Sequence, residues 1–405
     1  MSGGVGQRPQ PGLRILYIGT LPPHPGGTGV LAGMMLPGLA RLGHRITAIA
    51  PVVEADAARA AAFAAANPAI RIVRFPVRHN LTTPDFLHPA FGQALERERS
   101  EVRRCVSACS GTEEWDVVLL GRETYLWCFE DAAADLPAPV VSIVHSLITY
   151  RCMSGFYPER MVKEAVTRYR SAARLITPGE HVAQWLSSMG LERVSVIPNP
   201  VDLSAFSPRP RDPLLLARLS IRQEDTVVMH ASNLKAVKRP LDVVASAAKA
   251  LRRNPRLMYV VVGDGEYRES LLAACREADI EDRFRFAGWV EHEEMPAWLS
   301  IADIVTVPSE AETQALICLE AQACGRVVIA SDIPSARQVV RDGVSGFLHK
   351  LGDTEHLASL TLAAAADARL RNEIGGNARR LAACHSLDIV AAAYDTVLRE
   401  AAGTR

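Results

Sequence analysis

The chain has 405 residues, enough for two domains with separate cores. Its 45 basic residues balance 45 acidic ones, which excludes a partner recruited by net positive charge, nucleic acid included. The eight cysteines show no CxxC pair and no metal-ligand spacing, since Cys105 and Cys109 lack a nearby histidine. No apolar run reaches transmembrane length and the start lacks a signal-peptide core, so a disulfide scaffold, a zinc module and a membrane-spanning protein are not expected. The expectation is a reduced, cytoplasmic α/β protein with a disordered tail at 1–12. Peripheral membrane contact stays open.

In chain order, 13–19 reads as a first strand. A loop at 20–29 carries His24, Gly26, Gly27 and Gly29, a helix is expected over 30–42, and a strand over 45–50. This is a βαβ unit, and short connections imply a parallel sheet. The glycines let backbone approach a phosphate or sugar closely. Gly26-Gly27 equally suits a plain tight turn, and the spacing is not GxGxxG. Strands follow at 70–75, 116–120 and 140–144, with a helix at 91–110. The last strand ends at His145, at the edge where ligands sit in open α/β sheets, although a histidine there serves structure about as often.

Helices are expected at 161–174 and 181–189, and strands at 175–177 and 194–197. Prolines 198, 200, 208, 210 and 213 then mark a linker. Alternation restarts with strands at 226–231, 257–262, 284–286, 304–307 and 327–330. Helices lie between them at 239–253, 267–278 and 294–301. A last helix at about 386–402 has room to pack back on the first half. The expected organisation is a first domain over 1–205, a second over 206–385 and a returning helix over 386–405.

The stretch PSEAETQALICLEAQACG (308–325) reads as a loop and a buried helix, because Ala315, Leu316, Leu319, Ala321, Ala323 and Cys324 fall at helical spacing. The opening turn of a helix presents unbonded N–H groups that suit a phosphate. Glu312 is expected at or just before the helix start, and Glu320 eight residues on. Eight helical residues rise about 12 Å and return to nearly the same face. The two acids would then hold the hydroxyl-bearing ends of a ligand with phosphates between them. An acidic cap on the helix dipole accounts for the same pair without a ligand.

Several phrases, taken in order, resemble the family 4 glycosyltransferases of the GT-B fold. They are VIPNPVDLSAFSP (196–208), SNLKAVKRPLDVV (232–244), VVGDGEYRESL (261–271), FAGWVEHEEMPAWLSIADIVTVPSEAETQALICLEAQACGRVVIASD (286–332) and VRDGVSGFLHKLGD (340–353). The likeness covers nearly the whole chain and is strongest in its second half. Residues 232–239 are similar to the bacillithiol-pathway enzymes that glycosylate malate, and His145-Ser146-Leu147 to the mycothiol-pathway enzymes. The resemblance implies two Rossmann-like domains facing a central cleft.

It also implies roles. Glu320 would hold the ribose diol, Glu312 the donor-sugar hydroxyls, and the backbone of Thr313, Gln314, Ala315 and Leu316 the diphosphate. Lys238 would pair with the phosphates as a point charge. His145 would stand by the reacting centre, Gly26 and Gly27 would close on the diphosphate, and Trp289 with Val290 would frame the base. Asn199, Asn233, Lys235 and Gly263 complete the donor side. On the acceptor side stand 82–88 and 147–159, with Tyr150 and Arg151. Arg122 is there either a cation for an acidic acceptor or a partner of neighbouring acids.

Three departures from the family pattern bear on sugar preference. Asn233 stands where an arginine is usual, with Lys235 a substitute charge or a surface lysine. Thr313-Gln314-Ala315 replaces a glycine-containing run, and Ile333-Pro334-Ser335 replaces Gly-Gly. The implied reaction is retaining transfer from a nucleoside-diphosphate sugar, a co-substrate rather than a cofactor, to a small polar acceptor. No metal is expected, since no Asp-x-Asp motif follows a strand. Homodimerisation is left open. A nucleotide-sugar epimerase would instead consume donor without acceptor, and a non-catalytic sugar-nucleotide scaffold would bind without turnover.

Overall fold

Two runs of near-continuous apolar strands each build one parallel sheet, because strands covered on both faces need no polar alternation. The computed structural model describes residues 11–24, 26–77, 91–110, 114–145 and 147–403. The expected acceptor-side segment 82–88, Ser146 and tail residues 1–10 lie outside these.

The first sheet contains β1 (Arg14–Ile18), β2 (Arg45–Val52), β3 (Ile70–Pro76), β4 (Val117–Leu120), β5 (Val140–Ile143), β6 (Arg174–Thr177) and β7 (Val194–Val196). Their order is β3-β2-β1-β4-β5-β6-β7, all parallel. The second contains β8 (Thr226–Ala231), β9 (Leu257–Val262), β10 (Phe284–Gly288), β11 (Ile304–Val307), β12 (Val327–Ser331) and β13 (Phe347–His349). Their order is β10-β9-β8-β11-β12-β13, again all parallel. Each order reverses once, between β1 and β4 and between β8 and β11. The carboxyl ends of strands at such a switch are where open α/β sheets receive ligands.

The period of two along a strand sorts the core. Val227, Met229, Val260, Val305, Val307 and Val328 pack on one face of the second sheet. Val228, Tyr259, Val261, Ile304, Val327 and Ile329 pack on the other. In the first unit Ile15, Tyr17, Ile46, Val117 and Val141 meet the helix Gly27–Arg41 through Ala32, Met35, Leu36 and Leu39. The final helix Leu387–Ala402 adds Val390, Tyr394, Val397, Leu398 and Ala401 to this core, one helical stripe.

By contacts, one unit is Met1–Thr177, Ala183–Ile197 and Val390–Arg405, and the other is Pro178–Val182 with Pro198–Ile389. The break falls at Pro198 rather than at 206. The reason is local: the Val201 N–H donates to the His385 carbonyl (2.9 Å) and Val201 bridges Ser386, so 198–205 is tied to the second unit.

Other boundaries also move. The helix expected over 161–174 is Glu159–Arg170, because Arg174 already pairs in β6. The helices Ala57–Ala66, Thr354–Ala366 and Ala368–Ala383, and the three-residue β13, were not expected. Among the described residues no helix is long and apolar enough to cross a membrane. Among the described residues no two cysteines form a disulfide, and seven of the eight are buried.

Candidate functional site

The loops leaving β8 and β11 meet at the switch point of the second sheet. A 3-10 turn, Ala236–Lys238, brings the lysine forward. Arg239 then takes a left-handed conformation (φ 48°) before the helix Pro240–Leu251, which starts on proline. From β11 the chain runs through Pro308 to Ala315. The Glu310 N–H donates to the Val237 carbonyl (2.8 Å) and stitches the two loops together. Lys238 Nζ consequently lies 2.5 Å from Glu312 Oε1, and the Ser309 hydroxyl donates to the same oxygen at 2.8 Å. These are charge-assisted bonds in a partly buried place, with the two charged side chains 25% and 14% exposed.

The helix begins at Leu316, not near 312. Glu312 is therefore a loop residue, and the expected same-face relation to Glu320 over eight helical residues does not hold. The N-cap residue Ala315 offers no side-chain cap, and of the first-turn N–H groups that of Cys318 donates to the Ala315 carbonyl (3.1 Å), so those of Leu316 and Ile317 keep their capacity for an outside acceptor. Gln314 is buried. Its Oε1 accepts from the Asn199 N–H at 2.5 Å, and its carbonyl accepts from Asn199 Nδ2 at 3.0 Å. The structure thus engages Asn199 and Gln314 with each other, and Thr313 stays half-buried beside them.

Glu320 sits on the second turn of the helix, 5% exposed, with Oε1 2.8 Å from His292 Nε2. His292 lies on a 3-10 turn, His292–Glu294, just beyond Trp289 and Val290. Its ring packs on Phe206. Burial alone would lower the His292 pKa. The hydrogen bond and charge of Glu320, with Glu293 and Asp202, outweigh burial and hold it above the ordinary value. Trp289 is exposed after Gly288 (φ 72°), while Val290 packs on the core.

Two more groups belong to this region. His230, on β8, faces the Thr306 carbonyl through Nδ1 (3.0 Å) and the Ser232 hydroxyl through Nε2 (2.8 Å). A carbonyl only accepts, so Nδ1 carries the hydrogen and Nε2 accepts from Ser232. Burial holds this pKa down at about 4, so the ring stays neutral. His181 reaches the backbone of Glu312 from the segment Pro178–Val182.

Gly263 is required by the fold. Its φ is +117°, and a Cβ there would lie 2.0 Å from the Ser232 carbonyl oxygen. Asn233 is exposed and Lys235 half-buried on the same turn. A shallow recess lies under the β11 loop, lined by Glu312, Ser309, Cys318, Ile333 and Ser335 among others. Two residues that replace the family's glycines thus border Glu312. Among the described residues no three His, Cys, Asp or Glu groups are placed to hold a metal.

The first unit presents its own constellation at the ends of β1, β4 and β5. Gly26 is the N-cap of the helix Gly27–Arg41, at φ 105° and ψ 166°, a conformation open to glycine. Gly27 is the first helical residue. His145 follows β5 half-buried. Its Nε2 meets the Gly121 carbonyl at 3.0 Å, and its N–H donates to Glu123 Oε2 at 3.2 Å. Burial draws its pKa below the ordinary value, and the charge of Glu123 opposes this.

Arg122, expected to meet either an acceptor or a neighbouring acid, is buried 3.7 Å from Glu98 and 5.1 Å over the Tyr125 ring. Arg151 and Tyr150 are half-buried on the helix Leu147–Met153, with the Arg151 guanidinium 4.8 Å over Phe156. The structure therefore unites Lys238 with Glu312 and Glu320 with the Trp289 loop, and sets His145 on the end of β5. Sequence reasoning missed His292, His230 and Glu123. The first two could have been found as histidines inside or beside matched phrases.

This architecture, a parallel sheet with one topological switch repeated in two units, defines the GT-B class of two-domain transferases. The "Glycosyltransferase Family 4" profile matches residues 25–205, and "Glycosyl transferases group 1" matches 214–381. The D-inositol 3-phosphate glycosyltransferase of Xylanimonas cellulosilytica is 30% identical over 291 residues, covering 68% of this chain and 69% of that protein. The Frankia alni protein of the same name is 35% identical over 167 residues, covering 39% of this chain and 40% of the relative. The N-acetyl-alpha-D-glucosaminyl L-malate synthase of Bacillus anthracis is 31% identical over 159 residues, covering 39% and 41%.

The Anabaena HepE structure in complex with UDP and glucose shares the fold, with TM-score 0.76 at 19% identity, covering 96% of this chain and all of that one. Sucrose-phosphate synthase of Thermosynechococcus elongatus does so with TM-score 0.79 at 17% identity, covering 97% and 100%. The chain belongs to the family 4 glycosyltransferases of the GT-B fold.

Proposed function

We propose that the protein transfers a sugar from a nucleoside-diphosphate sugar to a small polar acceptor, with retention of anomeric configuration and without a metal. The observation that carries this is the Lys238–Glu312 pair at the switch point, next to a helix whose Glu320 is held by His292. A leaving nucleoside diphosphate gains negative charge as the anomeric C–O bond breaks. Lys238 and the first-turn N–H groups can meet that charge in place of a metal ion. The departing phosphate takes the acceptor's proton, and the new glycosidic bond forms on the face the phosphate leaves. No carboxylate base is required. Glu312 serves as an acceptor for sugar hydroxyls and Glu320 for the ribose diol.

Small polar acceptors are supported by the relatives, whose names carry D-inositol 3-phosphate and L-malate. Eight cysteines without a disulfide suit a cytoplasmic setting. The test is incubation with UDP-glucose or UDP-N-acetylglucosamine and each of these two acceptors. Mass spectrometry reads product formation and NMR reads the anomeric signal. The expected result is a product with the donor's α configuration, formed equally in excess chelator. An inverted product, or loss of turnover with chelator, would refute the corresponding part of the proposal. Nucleotide binding without turnover on any acceptor would favour a scaffold.

A further inference from the structure

Glu123 has no part in the reading above, yet its residue is fully buried. A carboxylate removed from water needs hydrogen bonds to replace its hydration, and their direction shows what it organises. One oxygen, Oε2, accepts from the backbone N–H of His145 at 3.2 Å. The other, Oε1, accepts from the Thr149 hydroxyl at 2.9 Å. Thr149 Oγ1 is also 2.8 Å from the Tyr169 hydroxyl. Because Thr149 donates to the carboxylate, Tyr169 donates to Thr149. Tyr169 is itself fixed, 1% exposed and edge-on to Trp127 at 5.8 Å.

The hydrogen-bond chain therefore runs from the helix Glu159–Arg170, through the helix Leu147–Met153, to the β4 exit and onto His145, two residues beyond β5. His145 is held a second time from the same β4 exit, since the Gly121 carbonyl takes the Nε2 hydrogen at 3.0 Å. That contact sets the tautomer and leaves Nδ1 as an acceptor.

We infer that Glu123 is the positioning residue for His145, clamping its main chain and the following helix so that the imidazole keeps one orientation and one tautomer. This rests on the reading that His145 acts at the reacting sugar. A group near a reacting centre displaced by about 1 Å costs on the order of a hundredfold in rate. Loss of the clamp should therefore appear in kcat far more than in donor binding, since the clamp touches neither Gly26 and Gly27 nor the donor-side residues of the second unit.

The experiment uses the full chain with UDP-glucose and UDP-N-acetylglucosamine, water serving as the acceptor, and follows UDP release. Glu123→Ala should lower kcat by roughly thirtyfold or more while the KM for the donor stays within about threefold. Glu123→Gln should recover most of this. Its amide oxygen can accept from His145 and its NH2 can donate to Thr149, whose hydroxyl then turns to Tyr169. Folded Glu123→Ala with native kcat would overturn the proposal, as would equal losses in the Ala and Gln variants.

If Glu123→Ala does not fold, Thr149→Val carries the test. A kcat loss at constant KM supports the clamp, and native kcat overturns it. Native kcat in His145→Ala would overturn the underlying reading and this inference with it. Loss in His145→Ala alone would overturn only the inference. A second readout needs no turnover. The ring nitrogens of His145, assigned in ¹⁵N-histidine protein against His145→Gln, should report a single Nε2–H tautomer that becomes a mixture in Glu123→Ala. An unchanged ring signal would overturn the proposal.

Discussion

At the ends of β8 and β11, Lys238 meets Glu312 in partial contact with solvent, and His292, beyond β10, bonds Glu320 on the helix after β11. At the ends of β4 and β5 the corresponding loops hold a histidine whose pKa is lowered by burial, beside a carboxylate sealed from water. Both regions occupy the same place relative to a parallel sheet, the carboxyl end near the switch of strand order. The difference lies in what each can do without rearranging. The second unit offers charges whose present partners a charged ligand can replace. The first offers a pre-set orientation, held by bonds that no ligand need break. Under the proposed function, this contrast assigns ligand capture to the second unit's residues and alignment to the first's.

The sharpest way to break the comparison is Lys238→Ala. It removes the cation and leaves Glu312, with Ser309, without its counter-charge. The expected loss in kcat/KM for the donor is on the order of 100- to 1,000-fold, read by steady-state UDP release. A loss under about fivefold would reduce Lys238 to a structural partner of Glu312. Gly263→Ala probes whether the Gly-Asp-Gly turn serves the ligand or the fold. The added Cβ meets the Ser232 carbonyl at 2.0 Å with φ at +117°, so stability of the second unit should fall by about 2–3 kcal/mol in urea unfolding. Folded Gly263→Ala protein at low temperature should still bind nucleotide.

The smallest effect concerns pH. His292 is raised in the folded state, so its pairing with Glu320 stabilises fully below the unfolded histidine value of about 6.5. That stabilisation is lost as pH climbs through the raised folded value. If the ribose competes for Glu320, binding releases the proton, and nucleotide affinity should rise severalfold across that window. Titration calorimetry in buffers of different ionisation enthalpy would show the proton release. His292→Gln should flatten the profile, and a native profile in that variant would remove His292 from the account.

Much of the second unit was legible in the sequence, for identifiable reasons. The apolar strands VVMHA, LMYVVV and VVIAS carry their own burial, and Lys238 and Glu312 lie in phrases whose order specifies the family. The start of the helix after β11 was misread because apolar spacing begins at Ala315 while the loop before it contains no Ser, Asn or Asp next to the helix to mark a cap. The resemblance placed Gln314 on the donor side, but that its side chain pairs with Asn199, 115 residues away, only the fold reveals.

Glu123 was illegible for a related reason. Gly121-Arg122-Glu123-Thr124 reads as a polar turn, and its burial depends on Thr149 and Tyr169 arriving from two later helices. Alanine-rich runs such as Ala57–Ala66 carry too little polar contrast to mark a buried face, and they were passed over.

The most direct test of the central claim is a thermal-shift comparison of UDP, GDP and ADP on the native chain and on Glu320→Ala. At about 100 times its dissociation constant, a ligand specific to the native state adds about 2.7 kcal/mol, or roughly 5–10 °C for a unit of this size. The account predicts such a rise with one nucleotide and its loss in Glu320→Ala. An equal rise in the variant, or no rise in a folded native sample with any of the three, would contradict it.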